Sequence, residues 1–229
     1  MPWKNISGGL TRISAGSVTN VWGVNAANTI FRYTGDDSNP WVAIPGSLTD
    51  IGAAADGTVW GVDAAGAIYR YSWTSNQWTK ITGTLKRISA GSRTNVWGVQ
   101  SNGSIFRFTG DDSNPWVQIP GAPLTDIGAG ADGTVYGVAA DGSIYRYTGD
   151  QGDPKHWVQI TGGLSAIAVG TKTNVWGVNG GGGIFTNTGD DSNPWVNIAG
   201  SGLSDIGAGA DGVVWGVNAS QGIFRWVRD

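Results

Sequence analysis

The feature that most constrains this sequence is a four-residue phrase, valine, aromatic residue, glycine, valine, which occurs six times. Its aromatic residues follow one another at intervals of 37 to 40 residues and are Trp22, Trp60, Trp97, Tyr136, Trp176 and Trp215. Self-similarity at such a period is typical of solenoids and propellers, in which each repeat forms one small structural unit. Because the repeats extend through residues 1–229, we expect one domain of six equivalent units.

Composition limits the class of protein. The chain has 39 Gly and 13 Trp, with 40% hydrophobic and 14% charged residues, which indicates a compact fold with many tight turns. A net charge of −3 without a basic run argues against nucleic acid as a partner. No stretch of about 18 apolar residues predicts insertion into a membrane. Because a secretion signal and cysteine are both lacking, we expect a cytoplasmic protein.

Each unit contains four short runs with strand character. In the first full unit they are residues 10–15, 21–24, 30–33 and 41–44, rich in Val, Ile, Trp, Phe and Tyr. Tight-turn pairs such as Asp56-Gly57 and Asn102-Gly103 separate such runs in other units, so neighbouring strands are antiparallel. Four strands in a repeat of about 40 residues predict an all-β, six-bladed β-propeller with four antiparallel strands per blade.

The two chain ends predict how the ring closes. The fourth-strand phrase that begins at Trp41 recurs in the following units, and its sixth copy, Trp3–Ile6, lies near the N-terminus. The last unit supplies only three strands and ends with Ile223–Trp226. We therefore expect residues 1–7 to complete the last blade beside residues 203–227, so that the N-terminal strand joins the C-terminal blade.

A second period is superposed on the first. The octapeptide of residues 34–41 recurs identically at residues 109–116 and 188–195, and the same odd-numbered units carry an asparagine before the second strand, namely Asn20, Asn95 and Asn174. The ring is therefore expected to have approximate threefold character. This pattern fits two classes of site, and it equally fits a recent duplication of a two-blade unit.

Catalytic and metal chemistry have few candidate residues. The single histidine, His156, lies in a loop that carries an insertion, and we interpret it as a solvated loop residue. Without cysteine or a second histidine, we expect neither an enzyme nor a cofactor. Adjacent carboxylates at residues 36–37, 111–112 and 190–191 fit calcium binding or turn formation, and turn chemistry is the favoured interpretation.

The repeated aromatic residues have two interpretations. They either form a core in which each ring packs over the glycine of a neighbouring blade, or they line sugar-binding grooves with an aromatic wall and a glycine floor. The glycines are Gly23, Gly61, Gly98, Gly137, Gly177 and Gly216. Polar groups for such grooves would come from the three asparagines and from Arg32, Arg70, Arg107, Arg146 and Arg225, whose alternative role is to cover apolar surface. The fifth unit has Thr186 in place of an arginine.

The repeated unit L-x-x-I-x-A-G, V-W-G-V, I-(F/Y)-R-Y-T-G-D and W-V-x-I-x-G resembles the tectonin repeat of β-propeller lectins, and the short chain without cysteine is most similar to the fungal, mushroom members. The resemblance implies a lectin of innate defence whose sites, at the aromatic and glycine positions above, bind O-methylated glycans of bacteria or nematodes. Six weak sites, or more in a homo-oligomer, would act together through avidity. The alternative is a protein-interaction scaffold without sugar binding.

Overall fold

A computed structural model describes residues 2–151, 156–200 and 202–227. Residue 1 of the expected closing segment and residues 152–155 of the loop before His156 lie outside the described residues. The described chain forms strands β1 (Trp3–Ile6), β2 (Arg12–Ser17), β3 (Asn20–Val24), β4 (Ile30–Tyr33), β5 (Trp41–Ile44), β6 (Asp50–Ala53), β7 (Val59–Val62), β8 (Ala67–Ser72), β9 (Gln77–Thr84), β10 (Arg87–Ser92), β11 (Asn95–Val99), β12 (Ile105–Phe108), β13 (Trp116–Ile119), β14 (Asp126–Ala129), β15 (Val135–Val138), β16 (Ile144–Tyr147), β17 (Trp157–Ile160), β18 (Ala166–Thr171), β19 (Asn174–Val178), β20 (Ile184–Asn187), β21 (Trp195–Ile198), β22 (Leu203–Ala208), β23 (Val214–Asn218) and β24 (Ile223–Trp226). Within these ranges there is no helix that could cross a membrane.

The strands form six antiparallel sheets of four strands, which confirms the predicted six-bladed propeller. Blades 1 to 5 take consecutive sets of four strands from β2 to β21, and blade 6 has the order β1-β24-β23-β22. The first strands β2, β6, β10, β14, β18 and β22 contact one another around the axis, so the fourth strands lie at the rim. We refer to the interface between consecutive blades as a seam and number it by its two blades.

The ring closes as the two chain ends predict. Strand β1 pairs antiparallel with β24, with Trp3 opposite Trp226 and Ile6 opposite Ile223. Ile6 is 2% exposed and packs in the core of seam 6–1. The first blade contacts the last through β2 with β22 and β23, so the sheets of these two blades cover each other at the join.

The first strand of blade 1 begins two residues later than the sequence pattern predicts. In blade 1 it begins at Arg12, and Leu10 lies in the preceding connection with 1% of its surface exposed. A Cβ atom added to Gly23 would lie 2.5 Å from Leu10 Cδ1, so the leucine fills the space that this glycine leaves. The same relation holds in the other blades for Leu48, Leu85, Leu124, Leu164 and Leu203. The expected packing of a neighbouring tryptophan over these glycines is therefore wrong.

A different glycine lies beneath an indole ring at the rim. The fourth-strand Trp41 donates its Nε1 hydrogen to the backbone carbonyl of Ser7 in blade 6 at 2.9 Å, across Gly8. Gly8 has φ of 132°, and a Cβ atom there would lie 2.9 Å from the indole. Equivalent hydrogen bonds of 2.9 to 3.1 Å join Trp3, Trp78, Trp116, Trp157 and Trp195 to the preceding blade. Each seam thus has the same indole-to-carbonyl hydrogen bond at its outer edge.

The axis of the ring carries buried charges. Asp50, Asp126 and Asp205 begin or nearly begin the first strands of the even blades, and Arg12 and Arg87 occupy the matching place in two odd blades. Burial and the negative charge of Asp205 raise the pKa of Asp126 to about 7. The positive charge of Arg12 acts in the opposite direction but does not outweigh them. Burial likewise raises the pKa of Asp50 to about 8 and that of Asp205 above its ordinary value. Charge at the axis therefore links folding to pH.

Deletion of residues 1–7 should lower the melting temperature by roughly 10–20 °C, because loss of the packed Trp3 and Ile6 side chains costs about 5 kcal/mol or more. Differential scanning calorimetry measures the change. The matched control is Asn5→Ala, which alters an exposed side chain of the same strand and should leave the melt within about 1 °C. An unchanged melt in the deletion variant would show that β1 does not hold the ring closed.

Asp126→Asn should stabilise the protein more at pH 8 than at pH 5. An unfolded aspartate has a pKa of about 3.9, so between about pH 4 and pH 7 the folded chain retains a proton that the unfolded chain releases, and stability falls as pH rises. The variant has no carboxyl group at this position, so its stability does not fall in this way. The difference in melting temperature between the variant and the wild type should therefore grow across that window. Asp141→Asn is the control. Hydrogen bonds from Ser143 lower the pKa of Asp141, so the effect of this carboxylate on stability changes with pH only below the window tested. A difference that is constant from pH 5 to pH 8 would contradict the raised pKa.

Candidate ligand-binding seams

The repeated aromatic residues face the next blade. Trp22 lies opposite Arg32 in the β3–β4 pair, and both side chains point into seam 1–2. The Trp22 ring lies 5.1 Å from Tyr71 and 6.1 Å from Trp78, both in blade 2, in edge-to-face geometry. Equivalent aromatic clusters surround Trp60, Trp97, Trp176 and Trp215. Aromatic packing of this kind contributes roughly 0.5–1.5 kcal/mol per pair beyond the area buried.

These aromatic residues are closed to solvent. The exposed fractions of Trp22, Trp60, Trp97, Tyr136, Trp176 and Trp215 range from 0% to 4%. A sugar needs an open ring face on which to stack, whereas these faces are covered by the next blade. These residues thus belong to the core of the seam, packed against aromatic residues of the next blade rather than over its glycine. A direct ligand contact by these six residues and their following glycines stays a prediction.

The three asparagines join neighbouring blades. Asn20 Oδ1 accepts a hydrogen bond from Trp22 Nε1 at 2.7 Å, and Asn20 Nδ2 donates to the Ala54 carbonyl of blade 2 at 2.7 Å. Asn95 and Asn174 make the same pair of bonds to Trp97 and Trp176 and to the next blade. Both amide ends of each asparagine are thus used within the protein. The threefold pattern in the sequence therefore has a structural role in the odd blades.

The even blades lack this partner. Thr58 and Val213 take the place of the asparagine in blades 2 and 6, and among the described side chains Trp60 Nε1 and Trp215 Nε1 are buried without a hydrogen bond. An unsatisfied buried N–H group costs about 1–3 kcal/mol. In blade 4 the aromatic residue is Tyr136, which lies opposite Arg146 in the β15–β16 pair. The two classes of blade therefore differ in how their central aromatic group is satisfied.

Four of the five third-strand arginines form ion pairs across a seam. Arg70 holds Asp112 of the next blade with two hydrogen bonds of 2.7 and 2.9 Å, and its guanidinium lies 5.3 Å from the Trp60 ring. Arg107, Arg146 and Arg225 hold Asp150, Asp191 and Asp37 in the same way. Hydrogen bonds from Lys4, Tyr33 and Arg225 outweigh burial and keep the pKa of Asp37 well below its ordinary value. These arginines cover the buried aromatic residue and leave no unpaired guanidinium face at the seam.

Two seams depart from this arrangement. Blade 2 has no aspartate for Arg32, whose guanidinium instead lies 5.2 Å from the ring of Trp73. Trp73 also donates to the Gly57 carbonyl at 2.7 Å and contacts Trp22 edge-on at 5.8 Å. In seam 5–6, Thr186 replaces the arginine and donates to the Val175 carbonyl of its own blade. The five predicted arginines therefore do not present five equivalent polar sites.

The paired carboxylates have separate structural roles. The first residue of each pair closes its own turn, as Asp36 does by accepting hydrogen bonds from the Ser38 amide and hydroxyl. Asp111 and Asp190 do the same with Ser113 and Ser192. The second residue of each pair is the partner of an arginine. The turn interpretation thus accounts for the hydrogen bonds of these loops, and no group of three or more acidic or histidine side chains among the described residues is arranged to hold a metal.

Three predicted residues come together in seam 3–4. Asn95, Trp97 and Arg107 contribute to the lining of an open groove of about 590 Å³, which Gly133 and Tyr147 of blade 4 complete. The Tyr147 hydroxyl donates to Asp150, and burial together with this bond raises the pKa of Tyr147 to about 12. Trp73 covers the corresponding place in seam 1–2. This groove offers polar atoms with little open aromatic surface, because Trp97 is 1% exposed.

A second kind of groove lies at the rim and has accessible aromatic walls. In seam 3–4, a groove of about 470 Å³ is lined by Trp157 and Tyr145 of blade 4 and by Pro120 and Gly121 of blade 3. In seam 5–6, a groove of about 240 Å³ is lined in part by Trp3, Phe224, Ile184, Ala199 and Gly200. We call these two the rim grooves. Their walls are fourth-strand tryptophans and third-strand aromatic residues, all of which are half-buried.

The rim aromatic residues were not among the predicted site residues. The signal was present in the repeated phrase W-V-x-I-x-G and in the aromatic residue before each third-strand arginine, but strand alternation does not reveal which rings remain open. His156 also lines the rim groove of seam 3–4 and is half-buried, with Nδ1 3.2 Å from the Gly149 carbonyl oxygen. His156 is thus a loop residue that keeps part of its surface exposed in this groove.

The closed ring with repeated aromatic seams defines the class of protein as a six-bladed β-propeller. Residues 9–194 match the Tectonin domain, so the chain belongs to the Tectonin domain family. No curated protein matches the sequence as a relative.

Solved propellers resemble the chain in fold. YCF48 bound to D1 peptide has a TM-score of 0.63 at 14% identity, over 100% of this chain and 98% of that one. YCF48 from Cyanidioschyzon merolae has a TM-score of 0.61 at 14% identity, over 99% and 85% of the two chains. U3-55K has a TM-score of 0.66 at 9% identity, over 96% and 80%. Identities this low establish a common fold alone.

Asn20→Ala and Thr58→Asn should change stability in opposite directions. The first leaves Trp22 Nε1 unpaired and should cost about 1–3 kcal/mol of unfolding free energy, whereas the second offers an acceptor to Trp60 Nε1 and should add about 0.5–1.5 kcal/mol. Urea titration monitored by tryptophan fluorescence measures both. Thr58→Ala controls for the loss of the threonine itself. A gain in Thr58→Ala equal to that in Thr58→Asn would mean that the new amide does not reach the indole.

Proposed function

We propose that this protein is a multivalent, non-catalytic lectin whose rim grooves bind O-methylated saccharides. The observation that carries the proposal is the pairing of a half-buried tryptophan with a half-buried phenylalanine or tyrosine beside a glycine in the two rim grooves. Sugars bind by placing apolar C–H faces on aromatic rings while a few polar groups orient their hydroxyls. The rim grooves supply such rings, whereas the aromatic residues deeper in the seams are covered.

A methyl ether suits the rim groove of seam 5–6. Ile184, Ala199 and Leu203 add aliphatic surface beside Trp3 and Phe224, so a methyl group entering there leaves water for an apolar lining. Burial of one such group contributes about 0.8 kcal/mol, which is roughly fourfold in Kd. The preference for methylated over unmethylated sugar is therefore expected to be modest at a single groove.

Repetition of the rim elements supports multivalent binding. All six blades place a tryptophan at the first or second position of the fourth strand, and all six have a phenylalanine or tyrosine directly after the third-strand isoleucine. Weak sites on one rigid ring, or in a homo-oligomer, gain effective affinity for a surface that repeats the same sugar. Membership of the Tectonin domain family supports the proposal. The resemblance of the repeats to those of fungal tectonins adds the expectation of targets on bacterial or nematode cells and of a role in innate defence.

The second candidate function is a peptide-binding scaffold. It is favoured by the likeness to YCF48, a propeller described as bound to D1 peptide, and by the polar groove of seam 3–4. Propellers serve many functions on one fold, so the likeness in fold supports this candidate only weakly.

A glycan array that includes methylated and parent sugars, followed by calorimetric titration of the best monosaccharide pair, tests the proposal. We expect binding with the methyl ether favoured roughly fourfold. Tyr145→Leu and Phe224→Leu keep an apolar side chain but remove the flat ring, and each should lower the number of sites per chain by one. Val42→Ala, a change at an exposed side chain of β5, is the control. A protein that binds no sugar at high concentration yet captures defined peptides would replace the lectin with the scaffold.

A further inference from the structure

Six residues occupy one register position around the axis. Arg12, Asp50, Arg87, Asp126, Ala166 and Asp205 each lie opposite the last valine of the repeated phrase in their blade. Their order around the ring is positive, negative, positive, negative, neutral, negative. The two-blade repeat would alternate arginine and aspartate throughout, and the alternation fails only at Ala166.

Two aspartates of this axial ring show what the position binds. Asp205 Oδ2 accepts the Ile13 amide of the next blade at 2.9 Å, and its Oδ1 accepts Arg12 Nη1 at 3.1 Å. Asp50 Oδ2 accepts the Ile88 amide at 2.9 Å, and Arg87 Nη1 lies 3.9 Å from its Oδ1. In both, one oxygen holds the next blade and the other faces a guanidinium that the next blade supplies.

The third aspartate, Asp126, contacts an amide of the next blade but has no guanidinium from that blade. Asp126 Oδ2 accepts the Ile167 amide at 2.8 Å, which matches the other two sites. Ala166 stands where the arginine would be, and Asp126 forms no ion pair with any described residue. Asp50 and Asp205 are 7% exposed, and Asp126 is somewhat more exposed than either.

We propose that the axial position beside Asp126 is a binding site for a guanidinium group supplied by a ligand. The chain itself provides the template twice, in the Arg12–Asp205 and Arg87–Asp50 pairs, and a guanidinium matches a carboxylate better than other cations through its planar fork of N–H donors. A divalent metal would need several oxygen ligands, and the described residues assemble no group of three.

The charges around the site agree with this assignment. Asp205 and Asp50 face the axis together with Asp126, while Arg12 and Arg87 supply two positive charges against these three negative ones. A bound guanidinium would favour the ionised form and balance the ring.

The space on the axis limits the ligand to its head group. The narrow cavity that Asp126, Ile167 and Ala168 line together with the other first strands has a volume of about 40 Å³. That volume is well below that of the rim grooves and far too small for a saccharide. The ligand is therefore a single flat cation on a chain, either an arginine side chain of a peptide or a small free guanidine.

Nuclear magnetic resonance of the backbone amides tests the site with internal controls. In a titration of the ¹⁵N-labelled protein with ethylguanidinium at pH 8, the Ile167 amide should shift saturably, because it donates to the carboxylate that binds the ligand. The amides of Ile13 and Ile88 occupy the same position at sites already filled by Arg12 and Arg87 and should not shift. Tetramethylammonium, which has no N–H donor, should leave all three unchanged at equal ionic strength.

Two variants and a second probe complete the test. Ala166→Arg should fill the site from within and weaken ethylguanidinium binding at least tenfold, and Asp126→Asn should do the same by removing the negative charge. Unchanged Ile13 and Ile88 amides show that each variant is folded. The acetylated and amidated tripeptide Gly-Arg-Gly separates the two sources: a peptide ligand requires that it also shifts Ile167, whereas a response to ethylguanidinium alone assigns the site to a free guanidine. Equal shifts at all three amides, or no shift at Ile167, would overturn the proposal.

Discussion

The interaction on which the ring depends is the hydrogen bond from each rim indole to the carbonyl of the preceding blade across a glycine. It occurs in all six seams at nearly the same length, and the glycine lets the indole approach within about 3 Å of where a side chain would be. The bond holds the indole across the seam, where the ring is half-buried. The residue that fixes the spacing of the blades is thus also the residue that forms a wall of the rim groove.

The repeat, the strand count and the closing strand could be predicted from sequence because alternation, turn pairs and period are local properties. Whether the repeated aromatic residues are exposed or covered could not be predicted from the sequence. Alternation places Trp22 and Arg32 on one face, but only the packed structure shows that Tyr71 and Trp78 cover the indole and that Leu10 fills the space at Gly23. Such coverage comes from segments one blade away or outside the strands, where no short-range pattern reports it.

The two-blade repeat has diverged mainly in its charges. Odd blades satisfy the buried indole with an asparagine, whereas blades 2 and 6 leave it unpaired. Blade 5 lacks both of the arginines that the pattern would give it, with Ala166 at the axis and Thr186 in the seam. Its apolar core of Trp176, Val178 and Ile184 remains buried. Because burial of apolar surface supplies most of the stabilisation, single polar partners can be lost from one blade without loss of the ring.

One ring can hold unlike sites because its apolar framework repeats whereas its polar side chains differ from blade to blade. The framework repeats six times, so a rim tryptophan and a third-strand phenylalanine or tyrosine recur in every blade. The polar features do not recur equally: the Trp73 cover in seam 1–2 and the incomplete charge pair at Asp126 each occur at one place among the described residues. Repeated surfaces suit a repetitive ligand, whereas a feature present once suits a ligand that binds once per ring.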